Sequence, residues 1–185
     1  MNGGECDWRH DVSIHLRLAT ETDINLLYQW ANDGDTRKWS LNQDEIDYDD
    51  HVQWCWQSMK SETRCLLMAE TQTNNGLYFA IGTCRIDHGA DIHKTSHSVN
   101  RDTERHGRVS ITVGPSYRGR GYATPILKSL CSYAEHLNLR SLEAQIKHAN
   151  AASLSAFCGA GFWVSHNRGD LWTLDYRLSR SIQTI

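Results

Sequence analysis

Proline is scarce in this 185-residue chain, with Pro115 and Pro125 its two copies, and no Pro-, Gly- or Ser-rich tract divides it. With no linker and with the length of one ordinary domain, a single domain with a well-buried core is expected. Charge of one sign is lacking too. The 19 basic residues nearly match the 22 acidic ones, and a net charge of −3 gives no reason to expect a nucleic-acid partner. No apolar run approaches membrane-spanning length, and residues 1–11 lack the apolar centre of a secretion signal. No membrane partner is therefore expected. The six cysteines (Cys6, Cys55, Cys65, Cys84, Cys131 and Cys158) form no C-x-x-C pair. Several fall in apolar periodic segments, so they read as reduced core residues and make the cytoplasm the expected compartment.

What is present is a succession of short periodic segments. Residues 14–18 alternate as a strand. Thr20 or Thr22 can cap a helix with Ile24, Leu27, Tyr28 and Ala31 on one face, and Asn32-Asp33-Gly34 should stop it. A second helix is expected over 48–60, with Val52, Cys55, Trp56 and Met59 inward. Strands at 65–70 and 77–87 are joined by the turn-rich Thr73-Asn74-Asn75-Gly76. After a polar loop, 88–107, comes a strand at 108–113. Ala123, Ile126, Leu127, Leu130, Cys131, Ala134 and Leu137 then mark an amphipathic helix. Pro125 is tolerated only in its first turn, which starts the helix at the preceding glycines. A strand at 141–146, a helix at 151–158 and a final hairpin (162–166 with 171–178) complete the chain. Residues 1–11 read as a loosely ordered tail and 12–185 as the domain.

Arg118-Gly119-Arg120-Gly121-Tyr122-Ala123 is the most informative stretch: a strand, a tight glycine turn and a helix N-terminus in succession. Free N–H groups and the helix dipole gather positive potential there, and glycines let a pyrophosphate approach the backbone. Three cofactor motifs use that arrangement. A nucleotide P-loop needs Gly-Lys-Ser/Thr, but Gly114 and Gly119 are followed by Arg120 and Gly121. A dinucleotide fingerprint needs a third Gly or Ala where Thr124 stands, and it normally opens its domain. The third, Arg/Gln-x-x-Gly-x-Gly/Ala, is matched by Arg118, Gly121 and Ala123 and resembles the acetyl-CoA loop of the GNAT N-acetyltransferases. Asn150, Gly161 and Phe162 resemble the same family's downstream motif, at compatible separation.

The resemblance covers nearly the whole chain. It implies an α/β (α+β) domain: a mixed sheet of about seven strands, about four flanking helices, and two splayed strands that admit acetyl-CoA. It further implies a cofactor site of Ile111, Thr112, Val113, Arg118, Gly119, Arg120, Gly121, Tyr122, Ala123, Thr124, Asn150, Ser153 and Phe157. The backbone of 118–124 would hold the pyrophosphate, Arg118 or Arg120 would add charge, and 111–113 would face the pantetheine arm.

Two positions depart from the family. Phe157 stands where a tyrosine usually protonates the leaving thiolate, and Arg108 where a glutamate often serves as base. Ser153, Ser155, Tyr176 or water could supply the proton, and a thiol of pKa about 8.5 leaves tolerably without one. His51 and Asp87 are the candidate bases. No metal is expected: His88, His93, His97 and His106 in the polar loop match no ligand spacing. That loop is expected to be a mobile cover over the acceptor.

The segment from Trp30-Ala31-Asn32-Asp33 to Arg37, followed by Ile46, His51 and Trp54, resembles amino-sugar nucleotide N-acetyltransferases of pseudaminic acid-type pathways. The implied acceptor is the 4-amino group of a UDP-linked amino-dideoxy sugar, with Trp39, Ser40, His51, Arg85 and Asp87 on its side of the site. Trp30, Trp54 and Trp56 are expected in the core. Two alternatives stay open. Residues 16–23 also resemble ribosomal-protein N-terminal and aminoglycoside acetyltransferases, and the acidic run 44–50 could suit a polycation. The fold could instead serve an acyl-CoA-binding module without turnover. A monomer or a homodimer is expected.

Overall fold

The structure, a computed structural model, describes residues 13–89 and 105–178. The tail at 1–11 and most of the polar loop, with His93 and His97, lie outside the described residues.

Seven strands form one sheet: β1 (His15–Leu18), β2 (Arg64–Gln72), β3 (Tyr78–His88), β4 (His106–Val113), β5 (Ser141–Lys147), β6 (Trp163–Arg168) and β7 (Leu171–Arg177). Their order is β1-β2-β3-β4-β5-β7-β6, and every pairing is antiparallel except β4 with β5. A parallel pair needs a crossover, which α4 (Ala123–His136) supplies. The other helices are α1 (Ile24–Ala31), α2 (Gly34–Trp39), α3 (Tyr48–Met59) and α5 (Ala151–Gly159).

Strand β2 shows why the sheet is covered on both faces. Leu67 and Ala69 join the cluster under α4 and α5, where Ile126, Leu127 and Leu130 are fully buried. Leu66 and Met68 turn the other way, against Leu27 and Trp30 of α1 and Cys55 of α3. A strand buried on both faces reads as a continuous apolar run, as residues 65–69 do.

Two local differences from the sequence reading matter for the site. The Asn32-Asp33-Gly34 stop ends α1 at Ala31 but also starts α2. Asp33 accepts from the Thr36 amide at 3.1 Å and so caps a six-residue helix that apolar periodicity does not reveal. Helix α3 is rotated relative to its expected face. Its buried residues are His51, Cys55 and Ser58, while Trp56 is exposed. Ser58 is tolerated inside because Arg64 donates to its hydroxyl at 3.2 Å, so a polar pair holds a place that hydrophobicity would assign to a large apolar side chain.

The acidic run has a plain structural use. Asp47 caps α3, accepting from the Asp49 and Asp50 amides at 2.8 and 3.2 Å, and Asp49 and Asp50 sit in the positive first turn. Asp47→Ala should cost about 1 kcal/mol of unfolding free energy, measured in urea, and should leave activity intact.

Candidate active site

Every candidate site residue named from the sequence except Arg120 and Tyr176 lines one cleft of about 1010 Å³. Arg120 is exposed beside it. One half of the cleft is bounded by the glycine turn, β4 and α5, the other by α2, α3 and the sheet residues Arg85, Asp87 and Arg108.

The turn half is shaped by backbone. Gly119 and Gly121 have φ of +72° and +80°, and a Cβ built on either meets nothing within 4 Å, so the space beside them is open. Only glycine adopts this conformation without strain. Helix α4 starts at Ala123 with its first intrahelical bond from the Ile126 amide to the Tyr122 carbonyl, and Pro125 carries no N–H. The Ala123 and Thr124 amides are thus first-turn donors beside an open concavity, which fits a pyrophosphate.

Next to the turn the sheet forks. Strands β4 and β5 pair in register only at His106–Ser141, Gly107–Leu142 and Arg108–Glu143. From Val109 onward β4 has no strand partner on the β5 side, while it keeps pairing with β3 up to Gly82–Val113. Backbone groups of 109–113 therefore face the cleft, the right exposure for an amide-bearing arm. The fork is pinned at its vertex by Arg108, whose Nε donates to Glu143 at 3.2 Å. His106 beside it and Arg108 hold the Glu143 carboxyl below its usual range against the effect of burial.

Residues 13–163 match the family model described as acetyltransferase (GNAT) domain. The chain belongs to that family. Among solved structures it is similar to a domain from Methanocaldococcus jannaschii (19% identity, TM-score 0.71, covering 91% of this chain and all of that one). It also resembles the aminoglycoside acetyltransferase AAC(6')-Ib in complex with coenzyme A (18%, 0.72, 89% and 95%). A third is spermidine N-acetyltransferase from Vibrio cholerae with CoA and spermine (14%, 0.72, 89% and 95%). Comparison by sequence with curated proteins gives no match. The chain is an acetyl-CoA-dependent N-acetyltransferase with the family's splayed sheet.

In this GNAT domain the downstream motif sits on α5. Asn150 caps the helix by accepting from the Ser153 amide at 3.1 Å, and Ser153 and Ser155 line the cleft. Phe157 is buried, edge-on to Phe162 at 5.0 Å between centroids. Of the proton donors considered, Tyr176 does not line the cleft; its ring packs on Phe162 instead. Tyr117 and Tyr122 do line it, edge to face at 6.3 Å, and Tyr117 was not legible as a site residue. It falls in the three-residue 3-10 turn Pro115–Tyr117, which no periodicity marks.

The other half of the cleft corrects the expectation for His51 most sharply. Helical periodicity sets it opposite the inward apolar stripe of α3 or at its edge, yet it is 3% exposed, with Nδ1 3.6 Å from the Cys55 sulfur and its ring between Tyr28 and Trp54. Burial, then the nearby Arg37 charge, push its pKa below the ordinary value, so the imidazole is neutral at pH 7. Trp54, expected in the core, lines the cleft as well, and the Arg64 and Arg85 guanidiniums lie 5.6 and 5.9 Å from its ring centre. Trp30 is in the core as expected: its ring packs where a Cβ on Gly114 would come within 2.8 Å.

Asp87 is enclosed by cations. Arg64 Nε donates to Oδ1, and Arg85 Nε stands 2.9 Å from Oδ2. The Arg85 contact is off the N–H direction, so that buried nitrogen has no hydrogen-bond partner among the described residues. Burial drives the Arg85 pKa down, Asp87 opposes it, and Arg64 and Arg108 add repulsion. The described residues hold no group of three or more His, Cys, Asp or Glu arranged for a metal. Cys55, Cys65, Cys84 and Cys131 are unpaired, and burial pushes their thiol pKa values up, Cys55 to about 11 and Cys131 to about 12. Thiols so protonated are packing groups rather than nucleophiles.

Proposed function

We propose that this acetyltransferase modifies an amine carried on an anionic small molecule, namely the 4-amino group of a UDP-linked amino-dideoxy sugar. The observation that carries this reading is the charge of the acceptor half. Arg37, Lys38, Arg85, Arg108 and Lys147 line it against the carboxylates of Asp35 and Asp87, five cations to two anions. Of the acidic run that could have drawn a polycation, Asp47 caps α3 and Asp49 and Asp50 sit in its first turn, and no member of the run lines the cleft. Two cations crowd the half-buried Arg85, so a phosphate arriving there relieves repulsion and gives its unpaired Nε–H an acceptor. Trp39 and Trp54 offer flat apolar faces for a sugar or a base, and Ser40 a hydroxyl.

In this reading the 119–124 backbone holds the pyrophosphate, the unpaired edge of β4 the pantetheine, and Asn150, Ser153 and Phe157 bound the arm from α5. Acetyl-CoA supplies an acetyl group activated as a thioester. His51 is the base: it is neutral and lines the acceptor half, whereas both Asp87 oxygens already face guanidiniums and make that residue a counter-ion. The amine proton passes to His51 as the N–C bond forms. With Phe157 unable to donate, the departing thiolate takes its proton from Ser153, Ser155 or water.

The test is mass-spectrometric detection of acetyl transfer across UDP-amino sugars, aminoglycosides and basic or ribosomal N-terminal peptides. Transfer to the 4-amino UDP sugar is expected. Transfer confined to aminoglycosides or peptides would overturn the acceptor, and tight acetyl-CoA binding without any turnover would overturn the enzymatic reading. Arg85→Gln should lower kcat/KM for the UDP sugar by about 2 kcal/mol, roughly 30-fold, with acetyl-CoA affinity unchanged by calorimetry.

A further inference from the structure

Arg118 opens the cofactor-loop motif, yet its side chain reaches away from the turn. Nη2 lies 2.6 Å from Asp33 Oδ1 and 2.8 Å from the Thr36 hydroxyl, Nη1 3.4 Å from Asp35 Oδ2, and Nε donates to the Val113 carbonyl at 3.3 Å. All three guanidinium nitrogens are engaged. One guanidinium joins the end of the splayed strand, the start of the glycine turn and the first turn of α2.

Helix α2 needs such a tie. Six residues are too few to be stable alone, since one turn's nucleation cost is spread over hardly any hydrogen bonds. Asp33 provides the N-cap and receives the arginine with the same carboxylate. Burial pushes the Asp33 carboxyl up, but Arg118 and the Thr36 amide outweigh it and leave the pKa below the usual range. Helix α2 in turn carries the acceptor half. Arg37 donates to the Ala31, Asn42 and Asp44 carbonyls and to the Ser40 hydroxyl, fixing the segment on which Trp39 and Ser40 face the cleft.

We propose that Arg118 is a positioning residue: a strut that transmits occupancy of the acetyl-CoA turn to helix α2 and so to the acceptor half. Charge at the pyrophosphate falls to the exposed Arg120 and the backbone donors. The strut stands on the family assignment alone, whichever amine is the acceptor, so its failure and that of the acceptor reading can be told apart.

Amide hydrogen exchange and calorimetry on the full chain, with acetyl-CoA as the probe, test it. In the wild type, saturating acetyl-CoA should slow exchange of the α2 amides on the order of tenfold. In Arg118→Met that ligand-dependent protection should vanish, while the acetyl-CoA Kd stays within about threefold. Asp33→Asn keeps the cap, because asparagine caps well, but loses the ion pair; it should behave like Arg118→Met. The double variant should add nothing further. A merely structural role would speed α2 exchange without acetyl-CoA and still leave the protection on binding. Three results would overturn the proposal: no protection of α2 in the wild type, protection that persists in both variants, or a tenfold weaker Kd in Arg118→Met with unchanged α2 exchange. The last would make the guanidinium a phosphate ligand. Should Arg118→Met not fold, Asp33→Asn carries the same comparison alone.

Discussion

Gly121→Val will weaken acetyl-CoA binding on the order of a hundredfold and lower the thermal midpoint by several degrees, on the order of 2–4 °C for each kcal/mol of strain. Gly121 holds φ of +80°, a conformation that costs an L-residue about 1–2 kcal/mol and a β-branched one more. The new side chain would also project into space that is now open beside the turn, where nothing lies within 4 Å. Relieving the strain rotates the turn, filling the space blocks the pyrophosphate, and together they amount to about 3 kcal/mol of lost binding. Calorimetric titration with acetyl-CoA checks it, and Gly121→Ala should show a smaller loss in the same direction. Wild-type affinity in Gly121→Val would mean that the turn is a structural bend and the cofactor is held elsewhere.

His51→Gln will lower kcat/KM at neutral pH on the order of a hundredfold and flatten its dependence on acid. In the wild type the rate should fall as pH drops through a midpoint below the ordinary imidazole value of about 6.5, because the protonated ring cannot accept the amine proton. The sign for stability follows from the same shift. The folded chain binds this proton more weakly than the unfolded chain, so stability holds above about pH 6.5 and declines as pH falls below it. Glutamine fills similar space without titrating, so both the acid limb of the rate and this share of the acid destabilisation should disappear. A wild-type pH–rate profile in His51→Gln would remove the histidine from the chemistry and leave the amine to arrive neutral.

The half of the cleft built from backbone was the more legible in the sequence. Glycine tolerance of positive φ, proline tolerance in a first helical turn and the periodicity of α4 are local rules, and Gly119, Gly121 and Pro125 obey them within one short stretch. The acceptor half was legible by residue and not by role. The pattern from Trp30 to Trp54 proves mostly structural: Trp30 packs on Gly114, Asn32 exchanges two hydrogen bonds with the Ile46 backbone, and Asp33 takes Arg118. Arg37 gathers carbonyls, leaving His51 and Trp54 as the ring-bearing members that line the cleft. Hydrophobic periodicity placed Trp56 inside and His51 opposite the apolar stripe or at its edge. It could not see that Arg64, from the next strand, would satisfy a buried Ser58 and turn the helix.

The sequence by itself determined the fold family, the glycine turn before α4 and the absence of the usual tyrosine and glutamate, because each rests on residues close together along the chain. Only the tertiary structure decided which way the long side chains point. It turned Arg118 from the glycine turn to Asp33, enclosed Asp87 between Arg64 and Arg85, buried His51 beside Cys55 and gathered Arg37, Lys38, Arg85 and Arg108 along the half of the cleft away from that turn. Those outcomes depend on charges and surfaces dozens of residues apart, whose distances are set by strand register and helix packing and leave no local pattern in the sequence.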